Sequence, residues 1–143
     1  MRRPFVVDWN AVSGITQIMG KPDPMNAPRA YSPSTRALNT AFQVSATRDA
    51  RVSYPVDITV NSLLITGQQG TVSLQYADNS AMSTNLVTVA SGTNSTGGVL
   101  SVTNIGTVLL VGDIPAGKWV RILTANNVGT PGFTPRQGQE VLL

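Results

Sequence analysis

Val52-Ser-Tyr-Pro-Val-Asp-Ile-Thr-Val60 places Val52, Tyr54, Val56, Ile58 and Val60 on one side of an extended chain, with Ser53, Asp57 and Thr59 on the other. Side chains alternate with a period of two along a strand, so this is the pattern of a half-buried β-strand. Pro55 has no N–H to give to a ladder, which predicts an edge position or a bulge at that point.

Further strands are expected at short intervals on both sides, over 41–46, 63–66, 71–77, 86–91, 99–102, 107–111, 118–125 and 140–143. Turn signals separate them: Gly67-Gln-Gln-Gly70, Asp78-Asn79-Ser80, Gly97-Gly98 and Asn126-Asn127-Val-Gly129. Eight or nine short strands so punctuated predict an all-β fold, an antiparallel β-sandwich or jelly roll. No helix of ordinary length competes after residue 36.

Residues 1–36 read differently. Five of the nine prolines fall there, and the run KPDPMNAPRAYSPS predicts an extended segment. Apolar groups precede it at Phe5, Val6, Val7, Trp9, Val12, Ile15, Ile18 and Met19. The spacing from Trp9 through Val12 and Ile15 to Met19 suits a short amphipathic helix, limited by Gly14 and Gly20. The division expected is an N-terminal attachment arm over 1–36 and a β-module over 37–143. Apolar anchors on such an arm suggest that another chain completes the fold; the alternative is that the arm folds back on its own body.

With 143 residues the chain has room for one domain with its own core and a tail. The net charge is +3, unevenly placed. Arg2, Arg3, Lys21, Arg29, Arg36, Arg48 and Arg51 face only Asp8, Asp23 and Asp49 in residues 1–51, whereas acids slightly outnumber bases in 52–143. The positives stand singly, without the aromatic interleaving of a nucleic-acid platform, so docking to protein is expected rather than binding to nucleic acid. Arg2, Arg3, Phe5 and Trp9 are the candidate docking residues.

Cysteine and histidine are both absent. Thiolate chemistry is thereby excluded, and so are the usual general base of a triad and the commonest metal ligand. The basic start MRRPFVVDW is interrupted by Asp8 before it reaches the apolar length of a signal-peptide core, and no apolar stretch has membrane-spanning length. Synthesis in the cytoplasm without membrane insertion is the expectation.

Gly112-Asp-Ile-Pro-Ala-Gly-Lys-Trp119 falls one residue short of the phosphate-binding loop G-x-x-x-x-G-K-[ST]. Trp119 stands where a hydroxyl must ligate Mg²⁺, Pro115 removes a backbone donor, and the following KWVRILTA is strand-like where a helix should open. The stretch is read as a Pro-Gly turn entering a strand. Asp78 and Asp113 are both expected at turns, with Asp capping local N–H groups. Asn94-Ser95-Thr96 fits a glycosylation sequon but is read as a loop. No pair of carboxylates is placed together, so no catalytic, cofactor or metal residue is assigned. In the last long strand Val120 and Ile122 are expected in the core. Trp119, Arg121 and Leu123 share the other face, a candidate subunit interface or a cover over the rim of the sandwich.

The runs RALNTAFQVSATRDARVSYPVDI, GTVSLQYADNS and IPAGKWVRILTANNVGTPGFTPRQGQEVLL resemble a β-rich module of tailed-bacteriophage virion proteins, found in small virion proteins and at the C-terminal ends of fibres. The resemblance covers about residues 36–143; Pro55, Gly132 and Pro135 depart from it where strand residues are expected. It implies a homotrimer that attaches to a tail or capsid through its N-terminal segment and displays the β-module outward. The function expected is a short virion fibre, with contact to a host-surface glycan as a further expectation. A head-decoration protein is the alternative of the same kind, and a carbohydrate-binding or depolymerising protein the alternative of another class.

Overall fold

The computed structural model describes residues 31–62, 66–97 and 102–143. Within them are nine strands: β1 (Tyr31–Ser34), β2 (Phe42–Gln43), β3 (Ala50–Ser62), β4 (Gln68–Ala77), β5 (Val87–Thr96), β6 (Val102–Ile114), β7 (Trp119–Val128), β8 (Gly132–Pro135) and β9 (Gly138–Leu142). They form two antiparallel sheets packed as a sandwich. One runs β1-β9-β3-β6, with β8 also on β3, and the other runs β2-β7-β4-β5.

The core follows from the alternation that opened the sequence. Val52, Tyr54, Val56, Ile58 and Val60 are all at most 1% exposed. They meet Val72 and Leu74 of β4, Leu110 and Ile114 of β6, and Val120 and Ile122 of β7. Burying each such aliphatic side chain contributes about 1.5–3 kcal/mol, and this inner layer joins the sheets.

Pro55 corrects one expectation. β3 is an interior strand, and its register with β6 runs unbroken from Ala50↔Ile114 to Ser62↔Val102. Its other side is shared by β9, opposite Ala50 to Ser53, and β8, opposite Val56 to Thr59. The Pro55 carbonyl accepts the Arg136 N–H at 2.9 Å, so the polar backbone of Pro55 points into the gap between β8 and β9. In an antiparallel strand the N and O of one residue face the same neighbour. The missing N–H therefore falls where no ladder partner asks for it.

Other boundaries move. Gln68 to Gly70, expected as a turn, begin β4, and Asn126 to Val128 still belong to β7. Asp113 lies in β6 opposite Arg51, not at a turn, and Asn94-Ser95-Thr96 completes β5 instead of forming a loop. Gly132 and Pro135, which break the expected pattern, bound a short strand, β8. Tyr31–Ser34, inside the segment expected to be an extended arm, pairs with β9 from Tyr31↔Val141 to Ser34↔Gly138.

At one side of the sandwich β5 lies over β6, and glycine allows the close approach. A Cβ on Gly112 would come within 2.2 Å of a Val89 methyl, and one on Gly92 within 2.4 Å of a Val108 methyl. Each strand thus offers a valine to the other's glycine. Val89 is the extra residue of a bulge, since Leu74 pairs Ala90 and Gln75 pairs Thr88, and the bulge turns its side chain inward.

Candidate interaction site

The β6–β7 connection is a turn. The Lys118 N–H donates to the Pro115 carbonyl at 3.3 Å, and Gly117, at φ 77°, takes the left-handed position that a type II turn gives to glycine. Asp49 Oδ1 accepts the Ala116 N–H at 2.8 Å, and the Gly117 N–H donates to Ser45. Lys118 is ion-paired with Asp78, which also accepts from Asn85 at 2.6 Å. Asn79, beside Asp78, takes the Ser83 and Thr84 N–H groups on its Oδ1 and closes the loop that carries this carboxylate.

β7 leaves this turn with Val120 and Ile122 buried and Trp119, Arg121 and Leu123 half-buried on the outer face of the second sheet. They stand opposite Ala77, Gln75 and Ser73 of β4. Around them the face is a series of polar rungs. Arg121 donates to Gln75 Oε1 at 2.9 Å, and Gln75 Nε2 donates to Thr88 Oγ1 at 3.2 Å. Ser73 and Ser91 hydroxyls meet at 3.0 Å, those of Thr71 and Thr93 at 2.8 Å, and Thr71 also donates to Asn127 at 2.7 Å. Arg121 Nε is buried with no hydrogen-bond partner among the described residues. The face can therefore offer fixed hydroxyl and amide groups. The sequence-predicted trio is gathered here; Arg2, Arg3, Phe5 and Trp9 lie outside the described residues.

A second cluster lies where the chain enters the sandwich. Arg36 Nε donates to Glu140 Oε1 at 2.7 Å, and its terminal nitrogen to Oε2 at 2.9 Å. The Tyr54 hydroxyl donates to the same carboxylate at 2.6 Å. The guanidinium lies 4.5 Å from the Phe42 ring centroid, and that ring meets Tyr54 edge-on at 5.9 Å. Burial acts to raise the Glu140 carboxyl, but the Arg36 and Tyr54 hydrogen bonds outweigh it and hold the group below its ordinary value. Burial, then the neighbouring carboxylate, push the Tyr54 phenol well up. Sequence reasoning missed this cluster. The available signal was Glu140 beside Val141, Leu142 and Leu143 near the end of the chain, where a buried carboxylate needs a partner.

The remaining described carboxylates each have their own partner. Asp57 accepts from Thr107 at 2.7 Å and from Arg136 Nε at 2.7 Å, and these bonds lower its pKa in that order of effect. Asp113 is held in both oxygens by Arg51 at 2.7 and 2.8 Å and is likewise lowered. No group of three or more acidic side chains that could hold a metal occurs among the described residues.

No family model, no curated protein and no solved structure matches the chain.

Proposed function

We propose that the chain is a structural protein of a tailed-bacteriophage virion: a short fibre attached through its N-terminal arm, with three copies presenting the β-module outward. The sequence resemblance introduces this reading. The observation that supports it best is the footing of the arm. Residues 31–36, the last of the span expected for the arm, are bound into the sandwich by four ladder pairs, Tyr31↔Val141 to Ser34↔Gly138, and by the Arg36–Glu140 fork. A segment that must connect a displayed module to a larger body needs such a fixed exit. The polar rungs around Trp119 and Arg121 fit a face built to meet another surface through hydrogen bonds.

Mass spectrometry and electron microscopy of purified particles of the encoding phage test the reading. It predicts the chain in the particle, at a few dozen copies or fewer, in projections from the tail or head. Hundreds of copies spread over the capsid lattice would make it a decoration protein instead, and absence from the particle would end both readings.

A further inference from the structure

The four sheet edges are unlike. β1 and β2 have four and two residues, and β5 carries the Val89 bulge; short strands and bulges are ordinary ways of blunting an edge. β6 has 13 residues and pairs β3 without a break. Because Pro55 turns its backbone away from β6, its partner Leu109 turns its own N–H and C=O away from β3. By alternation Ile105, Thr107, Val111 and Asp113 do the same. These residues carry their side chains on the outer face, where Ile105 is 62%, Leu109 59% and Val111 46% exposed. At the Asp113 end that face is charged, the side chains of Arg51 and Asp113 being 60% and 54% exposed.

One stretch of the chain matches this edge. In Arg3-Pro-Phe-Val-Val-Asp-Trp9, which lies outside the described residues, Phe5, Val7 and Trp9 alternate with Pro4, Val6 and Asp8. Laid antiparallel along β6 with Arg3 opposite Asp113, it sets Phe5 opposite Val111, Val7 opposite Leu109, and Trp9 opposite Thr107 and next to Ile105. Arg3 then brings a second cation to the Asp113 carboxylate. Pro4 falls among the residues whose backbone faces away from β6, where its missing N–H has no ladder partner. A slip of one residue would turn Pro4 toward β6 and the apolar trio off the outer face. The second sheet ends at β5, so Asp8 stands at an open rim with access to water.

We propose that residues 3–9 of a neighbouring copy add to β6 as the strand that completes the first sheet. The inference deepens the three-copy part of the proposed function and rests on it. Reach favours a neighbour over the same chain. Tyr31 shares a row of the sheet with Val141, Arg51 and Asp113, and the residues before it lead away from that end of the module. The spacer over 21–30 holds Pro22, Pro24 and Pro28, and extended it is about 31 Å long. Trp9 belongs opposite Thr107, six residues or about 20 Å back in the other direction. Residues 10–20 span at most about 40 Å, short of the roughly 50 Å of that return. A contact between the arm of one copy and the edge of the next joins two different surfaces. Such head-to-tail contacts close as rings, and three copies can form one. Arg3, Phe5 and Trp9 thereby take the next copy as their target, and Val12, Ile15, Ile18 and Met19 are left for the larger body.

The chain has no cysteine, so introduced thiols report contact without interference. Full-length Val7→Cys combined with Leu109→Cys, under mild oxidant at micromolar concentration, should rapidly give covalent species of two and three chains. Either change alone should not, nor should Val7→Cys with Ser91→Cys, which lies on the outer face of the second sheet. Phe5→Asp combined with Val7→Asp should lower the mass by light scattering toward the 15.1 kDa of one chain and leave the circular dichroism of the β-fold unchanged. A wild-type protein that is monomeric at micromolar concentration overturns both this contact and the three-copy reading. If the wild type is an oligomer but the cysteine pair does not link, or the mass survives the double aspartate change, the contact alone is overturned. A disulfide formed within one chain overturns the neighbour as the donor of the strand. Loss of fold in the aspartate variant leaves the cysteine pair to decide.

Discussion

Arg36 and Glu140 are 104 residues apart in the chain and meet through two parallel hydrogen bonds that clamp the entering segment onto strand β9. Glu140 is nine-tenths buried and Arg36 about one-quarter exposed, so the carboxylate depends on its partner for solvation. Arg36→Ala should cost about 3 kcal/mol, because it strands a buried charge. Tyr54→Phe should cost about 1–2 kcal/mol for the lost hydroxyl bond. Denaturant midpoints at neutral pH check both, and an Arg36→Ala loss no larger than that of an exposed pair would show that solvent already carries the carboxylate.

The same cluster sets a pH window. An unfolded glutamate titrates near about 4.3, and in the fold Glu140 lies lower, so its stabilisation is present above about pH 4.3 and is lost as the pH falls through the folded value. Asp57, Asp78 and Asp113 are lowered too and act in the same direction. Tyr54 is shifted upward, so its share is complete below about pH 10 and is lost as the pH rises beyond that. Melting temperature against pH should fall on both sides. Glu140→Gln should flatten part of the acid limb and Tyr54→Phe part of the alkaline one; a Tyr54→Phe curve parallel to the wild type above pH 10 would contradict this assignment.

Removal of residues 1–30 keeps every contact among the described residues, and such a chain should melt cooperatively. Removal of 1–36 takes away β1 and Arg36 and should lower the midpoint markedly. Equal midpoints for the two truncations would return residues 31–36 to the arm.

The Gly117 turn predicts a ranking. Lys118→Ala loses a partly exposed ion pair and should change stability by about 1 kcal/mol or less. Trp119→Ala loses packing over a half-buried ring and should cost about 2 kcal/mol. Mg-ATP at millimolar concentration should leave the melting curve unmoved, and an upward shift abolished by Lys118→Ala would contradict the turn.

Where β5 crosses β6, Gly112→Ala should cost about 1–3 kcal/mol by pressing on Val89. Val89→Ala should recover part of that loss in the double variant, because the two positions share one space. Strict additivity in chemical denaturation would mean that the strands have room to separate.

Much of the core was legible. The alternation through Val52 to Val60 places five residues in the interior, and Val120 and Ile122 follow the same rule. β1 and β8 were not legible, because YSPS and GFTP contain proline and glycine and owe their extended form to β9 and β3, not to local preference. The NST stretch reads as a loop for the same reason: its exposed residues are polar, and only pairing with Gln68 to Gly70 makes it a strand. Trp119, Arg121 and Leu123 could be set on one face from spacing alone. Arg36 could not be matched with Glu140, since nothing local records a contact across 104 residues. The Pro55 reading applied a correct rule about the missing donor, but a gap beside an interior strand satisfies that rule as well as an edge does.

The pairing of β1 with β9 also has a mechanical meaning. Antiparallel ladder bonds lie across the strands, so tension drawn along β1 from its Tyr31 end loads the pairs from Tyr31↔Val141 to Ser34↔Gly138 together instead of peeling them one after another. Beyond them in the chain, the Arg36 fork grips Glu140 of the same strand β9. A tug arriving through the preceding residues would thus be shared in shear by a short lap joint with a pin behind it, and handed on through β9 to β3 across the pairs from Ala50↔Leu142 to Ser53↔Gln139.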